Sequence, residues 1–379
     1  MKGNFFTVYL VFLFSLFSPC PLQAEVDIFG YFENRLFVVE NPEESWEKPG
    51  EKLRLGDYNR LRLKYKASPS KKVTVNVAVD FYSYHGMIDT WLWPYIGPTT
   101  PTGSNVRIDL DRAYLDLYFK RFDISIGKQR VALGVSYLWA PLDVFNRVNI
   151  FEPKEEKPGV NAFKVYIPLG TFSGVTVVFS PDMKVNASTS ALRSQVQVFG
   201  VDAAFTLLRF GTEETTIYGL DLRGENLIGW WAEAGYFVSP HPDNTNIHQK
   251  DLKLVLGFDY TFPLKRGLYW MNEFFYDSSG EKDPHTYDYI PLFTGKRFTL
   301  GKYYLFSMLS YSFTDFISAS ISYIANWGDG SFLLNPMIYY EITQDIRLTS
   351  GFYLPIGPQK GEFKNFKENT FFIWLKVSF

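Results

Sequence analysis

The last nine residues, Phe371-Phe-Ile-Trp-Leu-Lys-Val-Ser-Phe379, alternate without interruption. Phe371, Ile373, Leu375, Val377 and Phe379 share one face, and Phe372, Trp374, Lys376 and Ser378 the other. A side-chain period of two is that of a β-strand, and an unbroken apolar row needs lipid or a core against it. The pattern recurs upstream. Val73, Val75, Val77, Val79 and Phe81 form an apolar row opposed by Thr74, Asn76, Ala78, Asp80 and Tyr82. Leu252, Leu254, Leu256, Phe258 and Tyr260 oppose Lys253, Val255, Gly257 and Asp259; Ile317, Ala319, Ile321 and Tyr323 oppose Ser318, Ser320 and Ser322. A soluble sandwich also alternates, but its polar face meets bulk water and carries many Lys and Glu. Here the second face holds Ser, Thr, Gly, Asn, Tyr and isolated charges, which suits a water-filled lumen.

Composition points the same way. Aromatic residues make up 18% of the chain, yet mean hydropathy is slightly negative. No stretch after residue 24 approaches the run of about 18 apolar residues that a membrane helix needs. Many aromatics without a helical span fit a transmembrane barrel, whose strands each give lipid one apolar face between two aromatic girdles. A closed barrel also pairs every backbone polar group in lipid. The expected fold is all-β, a transmembrane antiparallel up-and-down β-barrel forming one domain over residues 25–379. Residues 1–24 read as a secretory signal peptide: Met1-Lys2 is positive, Phe5 to Phe17 is apolar but too short to span, and Leu22-Gln23-Ala24 precedes cleavage. Pro19 is a poor neighbour for acylation of Cys20, and without the leader the chain has no thiol. With 38 basic and 40 acidic residues the formal charge is −2, which argues against a nucleic-acid partner.

Connections alternate in length. Tight turns are expected at 68–71, 120–121, 314–315 and 343–345, and long segments at 39–52, 85–106, 135–159, 181–194, 239–250, 278–300 and 357–369. Barrels show this asymmetry, with short periplasmic turns and longer loops outside. A barrel that starts near residue 26 and ends at Phe379 on one side of the membrane needs an even number of strands. The visible segments give an odd number, and the mismatch lies between 181 and 250. A hidden strand between 183 and 212 repairs the parity and gives about 18 strands, with 16 as the alternative.

The C-terminal strand resembles the signal strand of bacterial outer-membrane proteins, which the barrel-assembly machinery reads; Phe379 is then the assembly signal. A second resemblance runs through Ile126-Gly-Lys-Gln-Arg-Val-Ala-Leu-Gly134, Trp139-Ala-Pro-Leu-Asp-Val-Phe-Asn146 and Gly159-Val-Asn-Ala-Phe-Lys-Val-Tyr166. It is similar to a group of outer-membrane porin-like proteins that includes the alginate-export family. There a glycine–basic–Gln–Arg strand precedes a Pro-x-Asp-x-Phe-Asn loop, and a Gly-Val-x-Ala strand follows. The resemblance implies a monomeric channel for small or charged solutes, set in outer-membrane lipid and lipopolysaccharide. It transfers no substrate-binding residue.

The candidate pore residues are basic. Arg60, Arg62 and Lys64 alternate with Leu61, Leu63 and Tyr65, so the three cations share a side, and Lys66 extends the row. Arg35, Arg112, Arg130 and Lys164 lie on strands close by in sequence. Cations on the wall of a water-filled pore concentrate anions and set selectivity. The competing reading pairs them with Asp27, Glu33, Asp80 and Asp116, leaving a balanced lumen. Segment 135–159 is the constriction candidate, since it follows Gly134 and carries Asp143, Arg147 and Glu152 among charges of both signs. Loops of this length are functional or disordered. Folded inward it faces the Arg row across the pore; otherwise it covers the rim. Tyr82, Tyr84, Trp91, Trp93 and Tyr95 read as outer girdle and loop packing, with stacking on sugar faces as the alternative. Glu43, Glu44 and Glu47 read as a solvated loop, or as a site for divalent cations shared with lipopolysaccharide.

Catalysis finds little support. The histidines, His85, His241, His248 and His285, fall in expected loops, and only His85 has Asp80 and Asp89 near by in sequence to make a base. His241, Asp243 and His248 lack a convincing further metal ligand. The expectation is a non-enzymatic outer-membrane channel, without cofactor or metal, for passive diffusion of small hydrophilic, anionic or sugar-like solutes. A closed barrel serving as envelope anchor or adhesin is the alternative. An energised receptor would need a plug ahead of the barrel, whereas strands here start directly after the leader.

Overall fold

The computed structural model describes residues 25–40, 53–86, 106–145, 157–241, 244–293, 297, 299–366 and 368–379. The leader, Glu43, Glu44, Glu47, Asp89, Trp91, Trp93, Tyr95, Arg147, Glu152 and Asp243 lie outside the described residues. The first strands are β1 (Glu25–Glu40), β2 (Leu53–Ser70), β3 (Val73–Gly86), β4 (Val106–Tyr118), β5 (Asp123–Gln129) and β6 (Val160–Pro168). Then come β7 (Gly174–Ser180), β8 (Thr189–Val198), β9 (Val201–Phe210), β10 (Thr215–Glu225), β11 (Gly229–His241) and β12 (Asn244–Phe262). The last are β13 (Leu268–Asp277), β14 (Tyr303–Ser312), β15 (Ile317–Asn326), β16 (Ser331–Glu341), β17 (Ile346–Ile356) and β18 (Thr370–Ser378). Each pairs antiparallel with its sequence neighbours, and β1 pairs with β18 from Tyr31–Ser378 to Val39–Thr370. The sheet therefore closes, and its 18 strands make an up-and-down barrel.

Alternation sorts the two faces. Leu256, Phe258, Ile317, Ile321 and Phe379 are exposed on the outer wall, while Asp80, Tyr82, Val255, Ser320 and Phe372 are buried inside. One polar group interrupts the outer row of β1 and β2: Asn34 donates to Asp57 (2.6 Å) and Asn59 (2.9 Å), and Asn59 donates to Asp57 (2.6 Å).

The strand that parity demanded is β8. It is folded back onto β9 at Phe199 and Gly200, whose φ angles are 51° and 79°. Two left-handed residues in a two-residue loop match the twist of a hairpin. Val-Phe-Gly-Val is apolar throughout, so the hydrophobic pattern shows no break there. The expected loop at 239–250 is instead the tip of a long hairpin, because β11 and β12 stay paired to His241 and Asn244. The turns expected as tight, observed at 71–72, 119–122, 313–316 and 342–345, all lie at one end of the barrel, although the connections at 211–214 and 327–330 at the other end are as short.

Candidate functional site

The inner faces of β1 to β4 hold a chain of buried ion pairs. Arg60 grips Asp80 with two bonds, Nε to Oδ1 at 2.9 Å and Nη2 to Oδ2 at 3.2 Å. Arg62 donates to Asp80 (2.9 Å) and to Asp111 (2.6 Å), and Arg112 Nε lies 3.4 Å from Asp111. Arg35 donates to Glu33 at 2.7 Å. Four guanidinium groups thus share three carboxylates. Of the expected partners, Glu33 and Asp80 take part; Asp116 instead accepts from Ser125 (2.6 Å) and Asn76 (3.2 Å). Asp111 was not foreseen. It is the extra residue where register shifts between Ala78 and Val79, and such a bulge lets Asp111 and Arg112 both reach the lumen against strict alternation.

The remaining cations sit differently. Lys64 Nζ lies 5.7 Å from the ring centre of Phe29 and 5.6 Å from that of Tyr31, and Lys376 Nζ lies 4.4 Å from Tyr31. Arg130 is exposed just past β5, an electrostatic neighbour of Arg112. Lys164 is half-buried on β6 between Ser125 and Val178, apart from the row. Tyr82 and Tyr84 correct the girdle reading: with Tyr58 they form a ring cluster inside the barrel, centroids 5.3–6.1 Å apart. Arg35 lies 5.6 Å from Tyr58 and Arg60 5.7 Å from Tyr82, so the guanidinium groups rest on these rings.

Segment 131–145 folds into the barrel. Val131, Leu133, Leu142, Val144 and Phe145 pack with Ala162, Val178, Ala191, Leu208 and Ile217, lining β6 to β10 from within. Trp139 inserts among Trp231, Val255, Met271, Phe275, Tyr304 and Phe306 on β11 to β14. This side of the interior is an apolar core rather than the open polar lumen anticipated from composition. Asp143 is buried and accepts from Lys157 at 2.6 Å. Two wall carboxylates that sequence reasoning missed hold the loop. Glu233 accepts from the backbone N–H of Val135 (2.8 Å), Ser136 (3.0 Å) and Leu142 (2.9 Å). Glu273 accepts from the N–H of Tyr137, Leu138 (2.7 Å) and Trp139 (3.3 Å) and from Trp231 Nε1 (2.7 Å). Gly134 has φ +84°, and a Cβ there would meet Glu233 Oε2 at 2.4 Å, so a glycine is required. A lone acidic residue on an inner face between apolar neighbours, as in Trp231-Ala-Glu-Ala, was the available signal.

A further carboxylate fastens the connection between β17 and β18 at the end opposite the turns expected as tight. Glu362, at the start of a short helix (Glu362–Phe366), accepts from the Tyr304 hydroxyl, from Asn326 Nδ2 (2.9 Å) and from Leu300 N–H (3.3 Å). Its own N–H donates to Asp329 (2.8 Å), which also accepts from the Tyr287 hydroxyl (3.1 Å). Burial, with the Asp329 charge adding, pushes the Glu362 carboxyl up to about 7 against the pull of the Tyr304 and Asn326 hydrogen bonds. Because the docked value lies above the ordinary 4.5, stabilisation from docking is complete below 4.5 and is lost as pH rises through about 7. Hydrogen-exchange protection of the Glu362 and Phe363 amides is expected to fall between about pH 5 and about pH 8, after correction for intrinsic rates. Glu362→Gln should remove that fall; equal protection at both pH values in the native chain would contradict the assignment.

His85 sits on the outer face of β3, across from Asp57, while Asp80 points inward, so those two do not pair; Asp89, the other candidate partner, lies outside the described residues. Of His241, Asp243 and His248, which were not expected to form a metal site, Asp243 lies outside the described residues, as does the side chain of His241.

No protein-family model matches the sequence, and no curated protein matches it. Solved structures do resemble the fold. OccAB1 of Acinetobacter baumannii aligns over 94% of this chain and 98% of its own, at 10% identity and a TM-score of 0.62. OccK9 (OpdG) of Pseudomonas aeruginosa aligns over 94% and 98% at 10% identity, with a TM-score of 0.61. A BenF-like porin from Pseudomonas fluorescens Pf-5 aligns over 94% and 98% at 9% identity, with a TM-score of 0.59. At such identities the likeness is one of fold, and it runs nearly end to end: the chain is a closed antiparallel barrel of the kind those porins form.

Proposed function

We propose that this protein is an outer-membrane, porin-like channel for passive diffusion of small hydrophilic solutes, with a bias toward anionic or sugar-like ones. The observation that carries the reading is a closed 18-stranded barrel with an apolar outer wall and an inward loop against one side only. Eight strands leave room just for side chains, whereas 16–18 enclose an aqueous space. The loop packs on β6 to β14, opposite the wall of β1 to β4 that bears Arg35, Arg60, Arg62 and Arg112. Arg35, Arg60, Arg62, Lys64, Lys66, Arg107 and Arg112 on those inner faces stand against Asp27, Glu33, Asp80, Asp109, Asp111 and Asp116, an excess of one positive charge to which Lys376 on the adjoining β18 adds another. Segment 135–159 acts as the constriction. The narrower resemblance of residues 126–166 to the alginate-export group extends the reading to acidic saccharides, which liposome swelling with uronic acids against neutral sugars would test. The channel works as a monomer among lipopolysaccharide, without catalysis or cofactor, inserted by the barrel-assembly machinery after loss of residues 1–24.

One observation favours a closed barrel used as anchor or adhesin: Tyr58, Arg60 and Arg35 are only 0%, 1% and 2% exposed. Single-channel recording in planar bilayers separates the two readings. Discrete conductance steps are expected from the purified folded protein, and their absence would leave the anchor.

A further inference from the structure

Six backbone N–H groups between Val135 and Leu142 end on two carboxylates of the barrel wall. Tyr137, Leu138 and Trp139 aim three consecutive N–H groups at Glu273. Successive amides turned the same way form an anion-binding nest, and here the anion is supplied by the protein itself. Glu233 and Glu273 are 1% and 0% exposed. No cation among the described residues bridges to either, so the loop amides and the Trp231 indole take the place of water around each charge.

We infer that Glu233 and Glu273 are positioning residues that fix the pore aperture, by pinning segment 135–142 to the β10–β13 wall opposite the Arg60–Arg62 row. The inference rests on the channel reading. A neutral acceptor would not serve equally: a Gln amide of the same shape turns an N–H₂ toward N–H donors. A hydrogen bond to a buried charged group contributes roughly 1.5–3 kcal/mol, which is about a tenfold to hundredfold change in the docked-to-released ratio of the loop. Apolar packing of Leu142 and Trp139 still holds the released loop near by, so it sweeps the lumen it borders and interrupts current rather than leaving the barrel.

The test is single-channel recording of Glu233→Gln and Glu273→Gln, each first shown to be a folded, heat-modifiable barrel. The expected result is closing events about tenfold more frequent, or more, with the fully open level retained. A lock then distinguishes positioning from general damage. A Cβ placed on Gly219 lies 3.2 Å from Leu142 Cγ, within reach of a disulfide once Leu142→Cys and Gly219→Cys are combined. Oxidising that pair in the Gln variants should return closing events to the native frequency, and reduction should bring them back. If Glu273→Gln does not assemble, Glu233→Gln, which leaves Trp231 its acceptor, carries the same expectation. Native closing frequency in folded Gln variants, or no rescue on oxidation, would overturn the inference. Wild-type protein without conductance would overturn the channel reading instead, so the two failures are distinct.

Discussion

Deleting Phe379 is expected to leave little folded barrel in the outer membrane. Phe379 completes the seam where the last strand meets the first: its N–H donates to Gly30 O (3.1 Å), and Gly30 N–H donates back to its carbonyl (2.8 Å). Without it, both Gly30 groups lose their partners next to lipid, where each unsatisfied backbone group costs several kcal/mol. The ring also ends the outer apolar row and lies 3.2 Å from where a Gly30 Cβ would stand. That Cβ would itself fall 2.1 Å from Arg62 O, so the seam needs glycine at position 30. Phe379→Ala keeps the backbone rung and removes only the ring. If the deletion fails and Phe379→Ala assembles, closure of the seam is the main effect; if both fail, recognition of the terminal aromatic dominates. The readout is the heat-modifiable folded band in outer-membrane fractions. Normal amounts of folded deletion protein would refute both accounts.

Legibility in the sequence followed the range of the interaction concerned. Alternation is local, so the rows on β3, β12, β15 and β18 and their facing directions could be read directly. The strand number came from a global constraint, parity, even where the turn at Phe199 and Gly200 was hidden inside an apolar run. Two kinds of feature escaped. A bulge breaks the period that the reading depends on, which is how Asp111 joined the ion-pair chain unannounced and how Arg112 could face inward with it. Backbone amides carry no letter code. Glu233 and Glu273 therefore gave no hint that their partners lay 91 to 136 residues away in the inward loop. The apolar half of the interior was missed for a related reason: inner positions such as Ala162, Val178 and Leu208 look like dilution of a polar face until a loop is laid on them. Tyr82 shows the opposite error. Its place opposite the valine row already assigned it to the interior, and reading it as girdle set that period aside.

Replacing Arg60, Arg62 and Lys64 together by Gln is expected to cost stability as well as anion preference. Asp80 and Asp111 are 0% and 3% exposed and take their charged partners from Arg60, Arg62 and Arg112. Breaking a buried pair from one side costs about 3–5 kcal/mol, because the remaining charge is left uncompensated. The triple variant should therefore unfold at clearly lower denaturant, provided it inserts. Adding Asp80→Asn and Asp111→Asn should recover much of the loss, since both sides of the Arg60 and Arg62 pairs are then neutral and only Arg112, which also donates to Lys157 O, loses a carboxylate. Selectivity follows a different count. The triple variant loses three positive charges, whereas the five-fold variant loses three positive and two negative ones. Reversal potential should move toward cations in the first and return most of the way in the second. Both shifts should shrink as salt rises, since screening acts over about 10 Å at 0.1 M. Recovery of stability without recovery of selectivity would place the ion path away from this wall. A folded triple variant with native stability and native reversal potential would mean that the Arg60–Asp80–Arg62–Asp111 chain neither holds the barrel nor meets the permeating ion.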